Sequence, residues 1–277
     1  MAYFPLQSAQ NSKPVMAAVL HSLKHAGIRT EENSMTADAV IIWSVLWAGR
    51  MQANQVVYEH YRSQHKPVIV IDIGALYRGE TWKVSLNNTT ADGYYGHQEN
   101  LDPTRPQKLG ISQAINLSRN PTILIAAQNI HSLQVAGIPS MEQWICDKIA
   151  QLQTVTDRPL VVRPHPRSPL NIKKLPVGTT IEQPRKIENS YDSYNMQIDC
   201  HAIVNLNSGP GIQAAIAGTR PIVDSTSLAY PVAVDITDID NPYDIDRDQW
   251  LLEICHTEYT LKELEQGLWL HRLHLLN

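Results

Sequence analysis

The sequence predicts an α/β protein of two Rossmann-like, doubly wound domains facing a cleft. Three observations carry that expectation. In both halves of the chain, short apolar runs alternate with amphipathic segments, as buried parallel strands and their crossover helices do. Residues 101–121, with three prolines and few apolar clusters, separate the two series. In the second series, NLNSGPGIQAAIAGTRPIV (residues 205–223) reads as strand end, glycine turn, short helix and strand, an order that surrounds phosphate sites in such folds.

The first series opens with a short strand at 3–6 and an amphipathic helix at 14–25, ended by Gly27. AVIIWSV (39–45) and PVIVIDI (67–73) are near-continuous apolar runs and therefore buried parallel strands, with a helix at 54–64 between them. Residues 74–96 place four glycines around one strand, 82–86, and read as functional loop on a rigid sheet. A short helical stretch is expected at 111–118. TILIAA (122–127) starts the second series, followed by a helix at 140–153 with Ser140 and Gln143 as its capping box. Next come a strand at 160–163, a helix at 191–199 and a strand at 202–206. The turn Gly209-Pro210-Gly211 then opens a helix at 212–217, which Gly218 ends before a strand at 220–223. Helices at 247–255 and 261–271 close the series.

Composition excludes several classes. At 277 residues and 43% hydrophobic, the chain can bury a sizeable core. No run approaches about 18 apolar residues, and the first ten residues lack a charged start followed by an apolar stretch. Neither a membrane span nor a secretory signal is expected, and the chain is assigned to the cytoplasm. Cys146, Cys200 and Cys255 are widely spaced without a CxxC pair, which fits ordinary thiols in a reducing compartment. The net charge of −4 hides an asymmetry: residues 1–120 carry 11 Lys+Arg against 9 Asp+Glu, and residues 121–277 carry 12 against 18. This is not a strongly basic nucleic-acid binder. Much of the acidity lies in DITDIDNPYDIDRD (235–248), which lacks the central glycine and terminal glutamate of a calcium loop. It reads as a solvated linker, and no metal is expected.

A glycine turn at a helix N-terminus offers backbone N–H groups and a positive dipole end to a phosphate, so Asn207, Ser208, Gly209 and Gly211 are candidate ligand contacts. RPHPR (163–167) ends a strand in the same half, and Arg163, His165 and Arg167 suit the same diphosphate. Pro164 and Pro166 stiffen the backbone around the imidazole. These cations would stabilise the charge on a departing nucleotide diphosphate without a metal, which describes a nucleotide-sugar site. The plainer alternatives are a turn joining two strands and charges held in water. Tyr230, after the last strand, either stacks on the nucleotide or packs an edge, and Gln128 is a strand-end amide facing ligand or closing a turn. In the first series, Asp72 ends an apolar strand just before Gly74, where parallel sheets present catalytic groups. It is the candidate base for an acceptor hydroxyl, with an N-cap or a partner for Arg78 as its alternative. Asp92 and His97 are rival bases. Arg50, Arg78 and Lys83 are candidate contacts to a phosphate-bearing acceptor, and Trp82 a candidate lining residue; Trp43 and Trp47 fit a core better.

These residues carry a family resemblance. Arg163-Pro164-His165-Pro166 and Asn207-Ser208-Gly209-Pro210-Gly211, with Ala127-Gln128-Asn129 ending the first strand, resemble the donor domain of GT-B glycosyltransferases. The closest likeness is to capsule-polysaccharide and CDP-glycerol-type enzymes. The whole chain also resembles phage-encoded proteins that glycosylate hydroxymethylated DNA bases, through WSVLWAGR (43–50), DIGALYRGETWKV (72–84) and the segment 246–273. The resemblance implies an acceptor domain at 1–118, a donor domain at 119–258, and a terminal helix at 259–277 packing back across their interface. It implies sugar transfer from a nucleotide-diphosphate donor, UDP-linked by preference, to a hydroxyl, with a hydroxymethylpyrimidine of phage DNA as the preferred acceptor. No cofactor beyond that co-substrate is implied. Gln213 stands where many such enzymes hold the donor ribose with a glutamate, a weaker contact. A polysaccharide or lipid-linked glycan is the alternative acceptor, and a non-catalytic nucleotide-binding protein is the alternative of another class.

Overall fold

The computed structural model describes residues 1–7, 9, 12–115, 119–188 and 199–275. The chain forms two compact units, each with its own sheet. The first comprises Met1–Arg105, His131–Gln134 and Glu253–Asn277, and the second Pro106–Ile130 and Val135–Leu252. In chain order the regular elements are β1 (Ala2–Tyr3), α1 (Lys13–His25), β2 (Glu31–Glu32), β3 (Val40–Trp43), α2 (Asn54–Ser63), β4 (Val68–Ile73), β5 (Thr81–Leu86) and α3 (Arg105–Lys108). They continue as β6 (Ile123–Ala126), α4 (Met141–Gln153), β7 (Leu160–Arg163), β8 (Thr180–Ile181), β9 (Ala202–Asn205), α5 (Gly209–Ile216), β10 (Arg220–Val223) and α6 (Asp248–Cys255). The last are β11 (Glu258–Thr260), α7 (Leu261–Glu265) and α8 (Leu268–Arg272).

The first sheet runs β11-β5-β4-β3-β1-β2. β1 to β4 are mutually parallel, while β5 is antiparallel to β4 and β11 to β5. The loop from Ile73 to Thr81 is too short for a parallel crossover, so the direction reverses there. Alternate residues of the central strands face opposite layers. Ile41, Trp43, Ile69 and Ile71 pack with Val15, Val19 and Leu23 of α1 and with Leu264 and Trp269. Val40, Ile42, Val68 and Val70 pack with Val57 and Tyr61 of α2. A sheet covered on both faces has no room for polar strand positions, which is why these runs are apolar throughout.

The second sheet, β10-β9-β6-β7-β8, is parallel in every pairing. Ile123, Ile125, Val162 and Val204 face Ile145, Ile149 and Leu152 of α4, whereas Leu124, Ala126 and Ile203 face Ala214 of α5.

Several expectations are corrected. Residues 3–6 are not one strand: β1 ends at Tyr3, and Pro5, with its fixed φ and no N–H, opens a 3-10 turn over Pro5–Gln7. Residues 111–115 are not helical, residues 116–118 lie outside the described residues, and the nearby helix is α3. The helix expected at 191–199 lies outside the described residues except for Asp199. Gly209-Pro210-Gly211 is the first turn of α5 rather than a turn before it, since proline is tolerated where the N–H has no helical partner. The terminal helix is two helices, because Gly267 adopts φ +76° between α7 and α8. Ser140 caps α4, accepting from Gln143 N at 2.9 Å, while the Gln143 amide turns away to Asp147. The full capping box belongs to α7, between Thr260 and Glu263.

Glu253–Glu258 join the first unit rather than the second because β11 pairs with β5. α8 packs there too: Trp269 is fully buried and donates its indole N–H to Ser22 Oγ of α1 at 3.1 Å.

Candidate functional site

In the second unit the chain winds from β6 to β7 and β8, then returns to β9 on the opposite side of β6. The carboxyl ends of β6 and β9 therefore flank the point where the winding reverses, where doubly wound sheets bind ligands. Ala126 and Asn205 are register partners there, and two residues beyond each stand Gln128 and Asn207, both buried. Gln128 Nε2 donates to Asn207 Oδ1 at 2.8 Å, and Asn207 Nδ2 donates to Thr226 Oγ1 at 2.9 Å. Asn205, which the sequence did not single out, shapes the turn. Its Oδ1 accepts from Ser208 N at 2.9 Å, and its Nδ2 donates to Ala126 O and to Ser208 Oγ, both at 3.1 Å. A strand-end Asn three residues ahead of a helix start was the available signal.

This turn differs from the expected phosphate cradle. The Ser208 N–H is taken by Asn205, Pro210 has none, and the Gly211 N–H donates to Ser208 O at 3.2 Å. The Gly209 N–H is what the open end of α5 offers. Gly211 is required for packing: a Cβ there would lie 2.7 Å from Val223 Cγ1, so glycine lets α5 approach β10.

One strand over, Arg163 ends β7 and pairs with Glu182 at 3.0 Å. His165 Nδ1 accepts from Arg167 N at 3.1 Å, which puts the proton of the neutral ring on Nε2. Arg167 is exposed, Gln213 is half-buried on α5, and Tyr230 is 52% exposed in the 3-10 turn after β10.

In the first unit Asp72 stands at the end of β4. Its Oδ2 accepts from Ser44 Oγ at 3.0 Å and its Oδ1 from Ile73 N at 2.7 Å. Burial raises its pKa above the ordinary carboxylate value, against the pull of the Ile73 N–H, Lys83, the Ser44 hydroxyl and Arg78. Lys83 lies opposite Asp72 on β5 and is buried; burial lowers its pKa, opposed by Glu258 and Asp72. The Tyr95 phenol, also pushed well up by burial, senses both carboxylates. Glu258 of β11 is fully buried and accepts from Ala75 N at 2.6 Å, Leu76 N at 3.1 Å and Thr81 Oγ1 at 2.7 Å. It thus fixes the loop that follows Asp72. A Cβ on Gly74 would lie 2.2 Å from Glu258 Oε2.

Of the other expected residues, Lys83 and Arg78 lie near enough to bear on Asp72. Asp92 is exposed in a hydroxyl-capped turn with Thr90. His97 is exposed and makes ring contacts with Tyr94 and His274. Arg50 and Arg78 are exposed, Trp82 is half-buried against the core, and Lys83 is not a surface contact. Among the described residues, no group of three or more His, Cys, Asp or Glu is placed to hold a metal ion, and no helix is long and apolar enough to cross a membrane.

Among solved structures, the chain is similar to KpsC of Thermosulfurimonas dismutans, described as a beta Kdo 2,4 transferase. The TM-score is 0.54 at 11% identity, over 97% of this chain and 98% of that one. A structure described as the beta Kdo 2,7 transferase of the same KpsC gives a TM-score of 0.48 at 11% identity, over 96% and 98%. No family model matches the chain, and no curated protein matches it. At this identity the likeness is one of fold, that of two Rossmann-like α/β units.

Proposed function

We propose that the chain is a glycosyltransferase that moves a sugar from a nucleotide-sugar donor to a hydroxyl of a glycan. The observation that carries this reading is the reversal point of the second sheet. There Gln128, Asn207, Ser208 and the Gly209 end of α5 share one edge, with Arg163 and His165 on the adjacent strand. Neutral amides and an N–H at a helix start bind a nucleotide's polar groups and phosphate without titrating. The imidazole Nε2–H and the Arg163 guanidinium would stabilise charge on the departing nucleotide, and Tyr230 would stack on its base.

Asp72 is the base in this reading. A carboxylate raised by burial is a better proton acceptor at neutral pH than an exposed one, and it still carries hydrogen bonds that hold its orientation. A glycan acceptor is preferred to a modified DNA base for two reasons. The transferase whose fold the chain shares is described as acting with Kdo, and the chain carries a net charge of −4, with 11 Lys+Arg against 9 Asp+Glu in residues 1–120, not the basic excess that holds a DNA backbone.

The test is nucleotide release from a donor panel, including nucleotide-activated Kdo and UDP-sugars, with glycan acceptors or with hydroxymethylated DNA. Release with a glycan acceptor supports the reading. Release only with modified DNA replaces the acceptor. Background release everywhere, with a nucleotide still raising Tm, leaves a binding protein.

A further inference from the structure

Ser44 is one of the few non-glycine residues in the left-handed region, at φ +64°, and it is buried immediately after β3. A serine gains nothing intrinsic from that conformation, so the surroundings must impose it. Its N–H donates to Ile71 O at 2.7 Å, which continues the β3–β4 ladder by one residue as the chain turns. Its Oγ then faces β4, donates to Asp72 Oδ2 at 3.0 Å and accepts from Leu46 N at 3.2 Å. One hydroxyl therefore reads the carboxylate and is itself aimed by the backbone of the following turn. Glycine would take this backbone more easily but could not supply the hydroxyl.

We propose that Ser44 is a positioning residue for Asp72, kept in a left-handed conformation because that conformation points its hydroxyl at the carboxylate. The inference rests on Asp72 being the base. The groups facing Asp72 are Ser44 just after β3, the Ile73 N–H from β4, Lys83 from β5, Arg78 from the loop between β4 and β5 and Tyr95 beyond β5. Ser44 supplies a hydrogen bond without a charge to Oδ2, and with the Ile73 N–H on Oδ1 it fixes the rotation of the carboxylate. Its donation also favours the ionised form, so removing it makes the base harder to ionise.

The test compares Ser44→Ala, Ser44→Gly and Asp72→Asn in the full chain. Both serine variants are expected to lose about tenfold in kcat with donor KM unchanged, as loss of a hydrogen bond to a charged group does. The acidic limb of the kcat/KM profile should move to higher pH. The Asp72 carboxyl, followed by carbon-13 NMR, should titrate higher in both. Ser44→Gly should fold at least as stably as the parent, which separates backbone strain from hydroxyl loss. An unmoved Asp72 titration in Ser44→Gly overturns the proposal. Retained turnover in Asp72→Asn overturns the base assignment instead. If the parent releases no nucleotide from any donor, the glycosyltransferase reading falls and the NMR titration alone decides what Ser44 does.

Discussion

The two sheet edges are built from opposite materials. At the end of β4 stand groups that titrate: Asp72, Lys83, Glu258 and Tyr95, close enough for the field of each to bear on its neighbours. At the ends of β6 and β9 stand amides and a hydroxyl: Gln128, Asn207, Asn205 and Ser208. Both edges are buried and hydrogen-bonded, yet only the first can change charge. A group that moves a proton needs a pKa set by its surroundings. A group that holds a polar ligand is better without one, because its binding then does not vary with pH.

The comparison breaks most sharply at Asp72. Asp72→Asn should lower turnover about a thousandfold while nucleotide still raises Tm by the parent amount. The same variant should be more stable than the parent at neutral pH. The folded-state pKa of Asp72 lies above its unfolded value, so the stability this group contributes is full below the ordinary carboxylate pKa and is lost as pH rises through the folded one. The stability gain should therefore vanish in acid, which thermal unfolding across pH will read. Next comes Gly74→Ala, whose Cβ meets Glu258 and Thr81 at 2.2 to 2.6 Å. It should cost about 3 kcal/mol in denaturant unfolding.

The amide edge should respond differently. Asn207→Ala should weaken nucleotide binding about tenfold by calorimetry, with the loss constant across neutral and mildly acid pH. Adding Gln128→Ala should cost less than its separate effect, because the two amides bond one another. Smallest is Gln213→Glu, expected to strengthen donor binding by only a few fold if it reaches a ribose hydroxyl.

Where a strand's own residues decide its place, the sequence was readable. β3, β4, β6 and β9 are apolar on both faces because both faces are covered, and Ser140 announces α4 with a local bond. The amide edge was legible for the same reason, since Gln128, Asn207 and Ser208 follow strand ends directly. At the titratable edge, Asp72 alone stood out in the sequence. Glu258 looks like any surface charge in EYT, and its burial depends on partners 183 and 182 residues away. Lys83 looked available to a ligand until β11 closed over β5, and nothing in WSV foretells the left-handed backbone of Ser44.

That closure has a consequence for how the chain is made. A polypeptide emerges from the ribosome N-terminus first, and the second unit lies between the two main parts of the first. All five strands of the second sheet are therefore synthesised before β11, α7 and α8, so that unit can finish folding while the first still lacks an edge strand and the Trp269 side of its core. Until Glu258 arrives, the Ala75 and Leu76 N–H groups have no carboxylate and the loop behind Asp72 is unanchored. The surroundings of Asp72 would therefore be completed only after the whole second unit has been made, when β11 pairs with β5.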